Sequence, residues 1–352
     1  MMIKPACLSK GDSIALVSPA NGLPDRFKKQ EEYSIHYLET LGYRVKNYIN
    51  HTNVETPSAR ASNLMEAFAD NEVKAILPIC GGNKVYEILD LLDYKFISRH
   101  PKIICGYSFI GALLLAITEQ AKCATFVGPH INFINDKSTN RELLYTVAAF
   151  WNTLTWSDAE KTGLSNYERA CLPKRLSDQC LELNNIYKNS HKLKQSRQDI
   201  SYISLNDRNT DESVVLAQSL DSLIAIGDYN ISLDLKNKLL LLDTLDDSFE
   251  NISHKLELLN SMYSLCNVSG IVFSSFNERT DKQKGKLNLQ DKNKIECFLK
   301  EAAYRFGTDN LYYGFPMGHC KYKLTIPIGI KAKFDCASGS LIYTESPFEK
   351  QR

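Results

Sequence analysis

Ser108 stands where one apolar run, Ile103-Ile-Cys-Gly106, gives way to another, Phe109-Ile-Gly-Ala-Leu-Leu-Leu-Ala116. A strand that breaks at Gly106 and restarts as a helix lifts the serine hydroxyl clear of a sheet. The new helix end then offers unpaired backbone N–H groups to a developing oxyanion. Gly106-Tyr-Ser-Phe-Ile-Gly111 is a relative of the G-x-S-x-G nucleophile elbow. Serine is also a preferred helix cap, so its partners must decide between the two roles.

A serine hydroxyl becomes nucleophilic at neutral pH when a base takes its proton, and histidine titrates in the right range. Of the seven histidines, His319 follows Gly314-Phe-Pro-Met-Gly318, a turn-forming segment that fixes a side chain at a strand end. His130, after Gly128-Pro129, is the runner-up base. His36, His51, His100, His191 and His254 sit in polar or helical contexts without a supporting pattern.

Asp243 ends the buried run Leu239–Leu242 and is the candidate to orient the imidazole. A turn or helix-cap aspartate is the competing role, with Asp246 and Asp247 close by. Two donors would form the oxyanion hole: the N–H of Phe109 and one from Gly81-Gly82, where the absence of side chains lets backbone approach the reacting carbon. Gly81, Asn83 and Gln218 are the expected substrate contacts. The order serine, acid, histidine differs from that of chymotrypsin-type enzymes.

Positioning these residues requires an open sheet. Apolar runs at Ser13–Val17, Val73–Ile79, Lys102–Cys105 and Ala124–Val127 alternate with helical spacings at Phe27–Leu41, Ser58–Asn71, Tyr86–Leu92 and Phe109–Gln120. Such alternation predicts a doubly wound, mostly parallel α/β sheet, flavodoxin-like or class I amidotransferase-like, whose ligands bind at the carboxyl ends of the strands. We assign it to residues 1–150. A polar stretch, 151–212, reads as an interdomain linker that drapes over the site, and its basic run Lys188–Arg197 as a solvated surface. Residues 213–352 form a second, smaller α/β domain. It has strands at Lys238–Leu242 and Gly270–Phe273, helices at Phe249–Tyr263 and Asp291–Tyr304, and short closing strands near Leu324–Ile326 and Leu341–Tyr343.

Composition narrows the function classes. A chain of 352 residues favours two cores, and 42 basic against 41 acidic residues leave no electrostatic footprint for nucleic acid. No signal peptide or membrane-spanning run is visible, which makes a cytoplasmic location the expectation. The ten cysteines are scattered without a C-x-x-C pair, several inside apolar runs (Cys80, Cys105, Cys123, Cys266), as buried free thiols in a reducing compartment would be.

The residues also resemble a family, the serine peptidases that include LD-carboxypeptidase and the microcin C immunity peptidase. The resemblance rests on Ser13-Ile-Ala-Leu-Val-Ser-Pro-Ala20, Arg60 before Ala67-Phe-Ala-Asp70, Ala75-Ile-Leu-Pro-Ile-Cys-Gly-Gly82 and Leu89-Asp-Leu-Leu-Asp-Tyr94. It continues through Pro101–Ser108, Thr125-Phe-Val-Gly-Pro129, Leu239–Asp243, and Gly314–His319 with Ile326-Pro-Ile-Gly329. It implies Ser108 as nucleophile, His319 as base, Gly82 and Phe109 as oxyanion donors, no metal or other cofactor, and a homodimer. The length and the long polar segment look more like the microcin immunity branch.

Three positions depart from the family pattern. Asp243 stands for the usual glutamate and reaches His319 only if the backbone moves about 1 Å closer, a displacement of the size that can cost of order a hundredfold in rate. Phe109 stands for an aspartate, and Ala217-Gln-Ser-Leu220 for Gly-Gly-Asn-Leu. The expected function is hydrolysis of an amide in a peptide or peptide-like small molecule, through an acyl-enzyme. Transfer of the acyl group to an amine would use the same residues. The alternative is a catalytically impaired relative that serves as a binding or assembly protein.

Overall fold

The computed structural model describes residues 1–20, 25–49, 56–134, 141–155, 163–164, 203–205, 208–229, 231–245, 248–274, 289–308, 310–320, 323–336 and 339–349. Two sheets organise it. The first contains β1 (Ser13–Val17), β2 (Arg44–Asn47), β3 (Val73–Pro78), β4 (Ile103–Gly106) and β5 (Thr125–Val127), all parallel to their neighbours. Its crossovers are α1 (Asp25–Thr40), α2 (Pro57–Ala69), a 3₁₀ segment at Asn83–Leu91 followed by α3 (Tyr94–Arg99), and α4 (Ile110–Ala116). β1 is buried along its whole length, as a strand covered on both faces must be.

α2 shows how sequence sets an element. Thr56 caps its first turn by accepting the Ala59 N–H, and Pro57 starts it where a missing N–H costs nothing. Ala61, Leu64, Ala67 and Phe68 fall on one face and are buried in the core. α4 is buried on every side and continues into one π-helical turn at Ile117–Ala121.

The short helix α5 (Ile131–Ile134) follows β5, and α6 spans Arg141–Leu154. Trp151, where the sequence suggests the polar linker begins, is buried in α6, stacks on Tyr43 and donates to the Tyr37 hydroxyl. Apolar residues of α6 belong to the first domain's core, so that core extends past residue 150. Most of the linker lies outside the described residues, apart from β6 (Gly163–Leu164) and β7 (Ile203–Ser204).

The second sheet runs β6-β14-β13-β8-β9-β10-β11-β7. It comprises β8 (Ser213–Ser219), β9 (Lys238–Asp243), β10 (Gly270–Ser274), β11 (Leu311–Phe315), β13 (Lys331–Asp335) and β14 (Ser340–Tyr343), besides β6 and β7. Strands β8 to β11 are parallel and the outer ones antiparallel. α7 (Leu220–Ala225), α8 (Phe249–Tyr263) and α9 (Leu289–Phe306) connect them.

One strand crosses the domain boundary. β12 (Ile326–Ile328), expected in the second domain, pairs antiparallel with β5 and closes the first sheet. The alternation of Ile, Pro and Ile reads as a strand, but nothing local names its partner. Pro327 is tolerated because β12 is the edge strand of the first sheet. Cys266 also departs from expectation. It is exposed on the 3₁₀ turn Leu265–Asn267, where Leu265 takes the inward position, and Cys297 is exposed on α9.

Candidate active site

Ser108 follows β4 and precedes α4 with φ of 57°, a left-handed conformation that a non-glycine residue adopts only where its surroundings enforce it. The enforcement is steric. A Cβ at Gly106 would lie 2.7 Å from Ile110 Cγ2, so the chain can turn this tightly only with glycine there. The Gly111 N–H donates to the Ser108 carbonyl at 2.9 Å and closes the first turn. Ser108 is half-buried and Phe109 exposed.

Gly81 packs against this turn. A Cβ on it would come within 3.1 Å of His130 Cε1 and 3.7 Å of Ser108 Cβ, which puts the Gly81-Gly82 backbone beside the serine. Arg60 holds that loop from behind. Its buried guanidinium donates to Pro19 O at 3.2 Å, Lys84 O at 3.1 Å and Glu87 Oε2 at 2.5 Å, tying the end of β1 to the 3₁₀ segment after Gly82. An arginine inside the apolar stripe of α2 was the signal in the sequence for this role. Asn83 is exposed at the start of the 3₁₀ segment.

His319 and Asp243 meet across the second domain. Asp243 ends β9 and is 3% exposed, and its Oδ2 lies 2.6 Å from His319 Nδ1. Oδ1 accepts from the Leu245 N–H and the Ser274 hydroxyl, both at 3.3 Å, so the carboxylate is fixed on both oxygens. This contact assigns the proton to Nδ1 and leaves Nε2 to accept another. Gly318, at φ of 69°, makes the approach possible, because a Cβ there would lie 2.2 Å from Asp243 Cγ. The Tyr107 ring, next to Ser108, lies 5.1 Å from the His319 ring and 4.5 Å from the His130 ring, centroid to centroid. Among the described residues no hydrogen bond joins Ser108 to His319. Catalytic contacts of this kind commonly tighten only with substrate.

His130, the runner-up base, has a different role. It is 6% exposed, and its Nε2 accepts the Tyr107 N–H at 3.4 Å. Burial, with a smaller push from His319, lowers its pKa to about 3. With Nε2 already accepting the Tyr107 N–H, His130 is placed to support the backbone just before Ser108. Because the folded protein holds this imidazole neutral, the unfolded chain binds the extra proton between pH 6.5 and about 3. Stability should therefore be complete above pH 6.5 and fall through that window, by up to roughly 5 kcal/mol at about 1.4 kcal/mol per pKa unit. Denaturant unfolding at pH 7 and pH 5 should show a smaller loss for His130→Gln than for wild type.

Gln218 does not stand in the open cleft. It is 1% exposed, its Oε1 accepts the Ser219 N–H at 2.8 Å, and its Nε2 has no partner among the described residues. A Cβ at Gly111 would lie 2.0 Å from Gln218 Oε1, so this amide locks the helix that carries Ser108 to the end of β8. Nothing in the local sequence pairs these two residues. Among the described residues no group of His, Cys, Asp and Glu is placed to hold a metal ion.

The fold recurs in known proteins. The family model for the LD-carboxypeptidase N-terminal domain matches residues 14–128, and that for the C-terminal domain matches residues 213–334. The chain is 26% identical over 349 residues to a probable murein peptide carboxypeptidase of Bacillus subtilis, covering 96% of this chain and 93% of that one. A putative carboxypeptidase of the same organism, YocD, is 41% identical over 130 residues, and there the chain spans 40% of the relative's length. The solved structure of the microcin C7 self-immunity protein MccF superposes with a TM-score of 0.76 at 19% identity, covering 99% of this chain and all of that one. A muramoyltetrapeptide carboxypeptidase from Oxalobacter formigenes gives 0.69 at 19% identity over 94% of this chain and 97% of its own. With both family domains matched in order, at residues 14–128 and 213–334, the chain belongs to the LD-carboxypeptidase family of peptidases.

Proposed function

We propose that the protein is a serine hydrolase that cleaves an amide bond in a peptide or peptide-like small molecule, using Ser108, His319 and Asp243. The observation that carries this reading is the 2.6 Å contact between His319 Nδ1 and Asp243 Oδ2, with the His319 ring 5.1 Å from that of Tyr107, the residue before a serine held at positive φ. Ser108 Oγ attacks the amide carbonyl as His319 Nε2 takes its proton, and Asp243 stabilises the imidazolium. The Phe109 and Gly82 N–H groups receive the negative oxygen. His319 then protonates the departing amine, leaving an acyl ester on Ser108, and next activates the water that hydrolyses it.

Two substrate classes are suggested by relatives. One relative is described as a murein peptide carboxypeptidase. MccF has been solved with aspartyl sulfamoyl adenosine and with glutamyl sulfamoyl guanosine. Both classes present an amide or amide-like bond on a small, polar molecule. Among the described residues no helix is long and apolar enough to cross a membrane. A cytoplasmic homodimer is part of the same proposal.

A fluorophosphonate probe tests the nucleophile. Wild type should be phosphonylated once, with the adduct on the peptide containing Ser108, and Ser108→Ala should remain unlabelled by mass spectrometry. Undiminished labelling of Ser108→Ala would sink the assignment.

A further inference from the structure

Phe109 is the one exposed residue at the head of an otherwise sealed helix. Ile110 to Ala116 are fully buried, whereas the Phe109 ring is 38% exposed immediately after Ser108. A single exposed ring is ordinary on a protein surface, but this one belongs to a row of rings beside the nucleophile. The ring does not stand alone. It meets Tyr86 edge-on, with centroids 6.2 Å apart and planes at 80°. Tyr86 in turn stacks on Tyr229, with centroids 5.4 Å apart and planes at 14°.

The three rings come from three segments. Tyr86 lies on the 3₁₀ segment that follows Gly81-Gly82, Phe109 on the serine turn, and Tyr229 at the end of the helical stretch after β8. Tyr86 and Tyr229 are partly buried against the core, and the Tyr86 hydroxyl is enclosed without a hydrogen-bond partner among the described residues. Their rings are therefore fixed, and only the outermost, Phe109, keeps a large open face. A rigid aromatic surface of this kind offers stacking and edge-to-face contacts to another ring and nothing to a carboxylate.

We propose that Phe109, backed by Tyr86 and Tyr229, is the wall of a substrate subsite beside Ser108 that takes an aromatic side chain adjoining the scissile amide; this rests on the serine-hydrolase reading above. The ligand's ring completes the burial of Phe109 and extends the aromatic row. An acidic side chain in the same place loses its hydration against an apolar face and gains no partner.

Calorimetric titration of Ser108→Ala, which cannot turn ligand over, tests the subsite directly. The probes are N-acetyl-phenylalaninamide and N-acetyl-aspartamide, each in both enantiomers. The phenylalanine probe should bind about ten- to a hundredfold more tightly than its aspartate counterpart. Adding Phe109→Asp should abolish that preference, Tyr229→Ala should weaken it, and Phe109→Tyr should keep it, with circular dichroism verifying each fold. Equal affinities, a preference for aspartate, or no binding of the phenylalanine probe overturns the proposal. The two readings fail separately. Phosphonylation of Ser108 in wild type without ligand preference removes only the subsite, whereas preference without phosphonylation removes the hydrolase and leaves the subsite.

Discussion

Gly318→Ala should lower the rate of Ser108 phosphonylation by a hundredfold or more while leaving the protein folded. An alanine Cβ at this position would lie 2.2 Å from Asp243 Cγ and 2.3 Å from its Oδ2, inside any contact that real atoms tolerate. The φ of 69° adds a cost of roughly 1 kcal/mol for a residue with a side chain. Asp243 is buried and cannot retreat, so either its carboxylate or the His319 loop must shift, and the 2.6 Å contact is lost. Losing the group that orients a catalytic imidazole costs about 10⁴ in kcat in the best-studied triad.

A double-mutant cycle separates this mechanism from general damage. In an Asp243→Gly background the Cγ, Oδ2 and Cβ that the new methyl would meet are all gone, so adding Gly318→Ala should change the labelling rate little. A full additional loss would mean that Gly318 acts through something other than Asp243. Asp243→Glu is informative in the same way. The shorter acid reaches His319 here because Gly318 brings the loop backbone down onto it, so the extra methylene should reduce activity. A gain of activity on Asp243→Glu would favour the reading of an impaired relative.

The second large effect is expected at Gly111, where alanine would ordinarily strengthen a helix. Here its Cβ would lie 2.0 Å from Gln218 Oε1 and 2.5 Å from Nε2. Gln218 is 1% exposed, so its amide can give way only by breaking its bond to the Ser219 N–H and repacking its neighbours. Overpacking of this kind costs typically 1–3 kcal/mol, against a helix-propensity gain of about 1 kcal/mol. Gly111→Ala should therefore unfold at lower denaturant and label more slowly, since α4 begins at the serine turn. Gln218→Ala alone leaves the Ser219 N–H without its acceptor and should also destabilise. The double variant should nevertheless be more stable than the sum of the two losses predicts, by about 1–3 kcal/mol. Strict additivity in urea titrations would show that the two residues do not interlock.

Much of the site was legible as pattern. The glycine-bounded run Ile103–Gly106 before Ser108 carries the strand, the sharp turn and the helix start in consecutive residues. The glycine- and proline-rich segment before His319 and the leucine run ending at Asp243 likewise place both side chains at strand ends. These features follow from local backbone chemistry, because glycine permits the turn and an unbroken apolar run specifies a strand buried on both faces. Arg60 entered the sequence reading only through the family resemblance, and its acceptors at Pro19, Lys84 and Glu87 come from distant segments.

What the sequence left open is contact between distant residues. Whether Asp243, one methylene short, reaches His319 depends on Gly318 approaching from another strand. Whether Gln218 faces substrate or the domain boundary depends on α4, a hundred residues away in the chain. Ile326–Ile328 reads as a strand in either sheet, and the tertiary structure pairs it with β5. The same holds for Phe109, whose identity is plain but whose exposure beside Tyr86 and Tyr229 is settled only by packing. Sequence alone determined the α/β class, the serine turn and the residue types available for acyl transfer, because each depends on neighbours within a few positions. Tertiary structure decided which of those residues touch, because side-chain distances at the sheet ends arise from long-range pairing that no local pattern encodes.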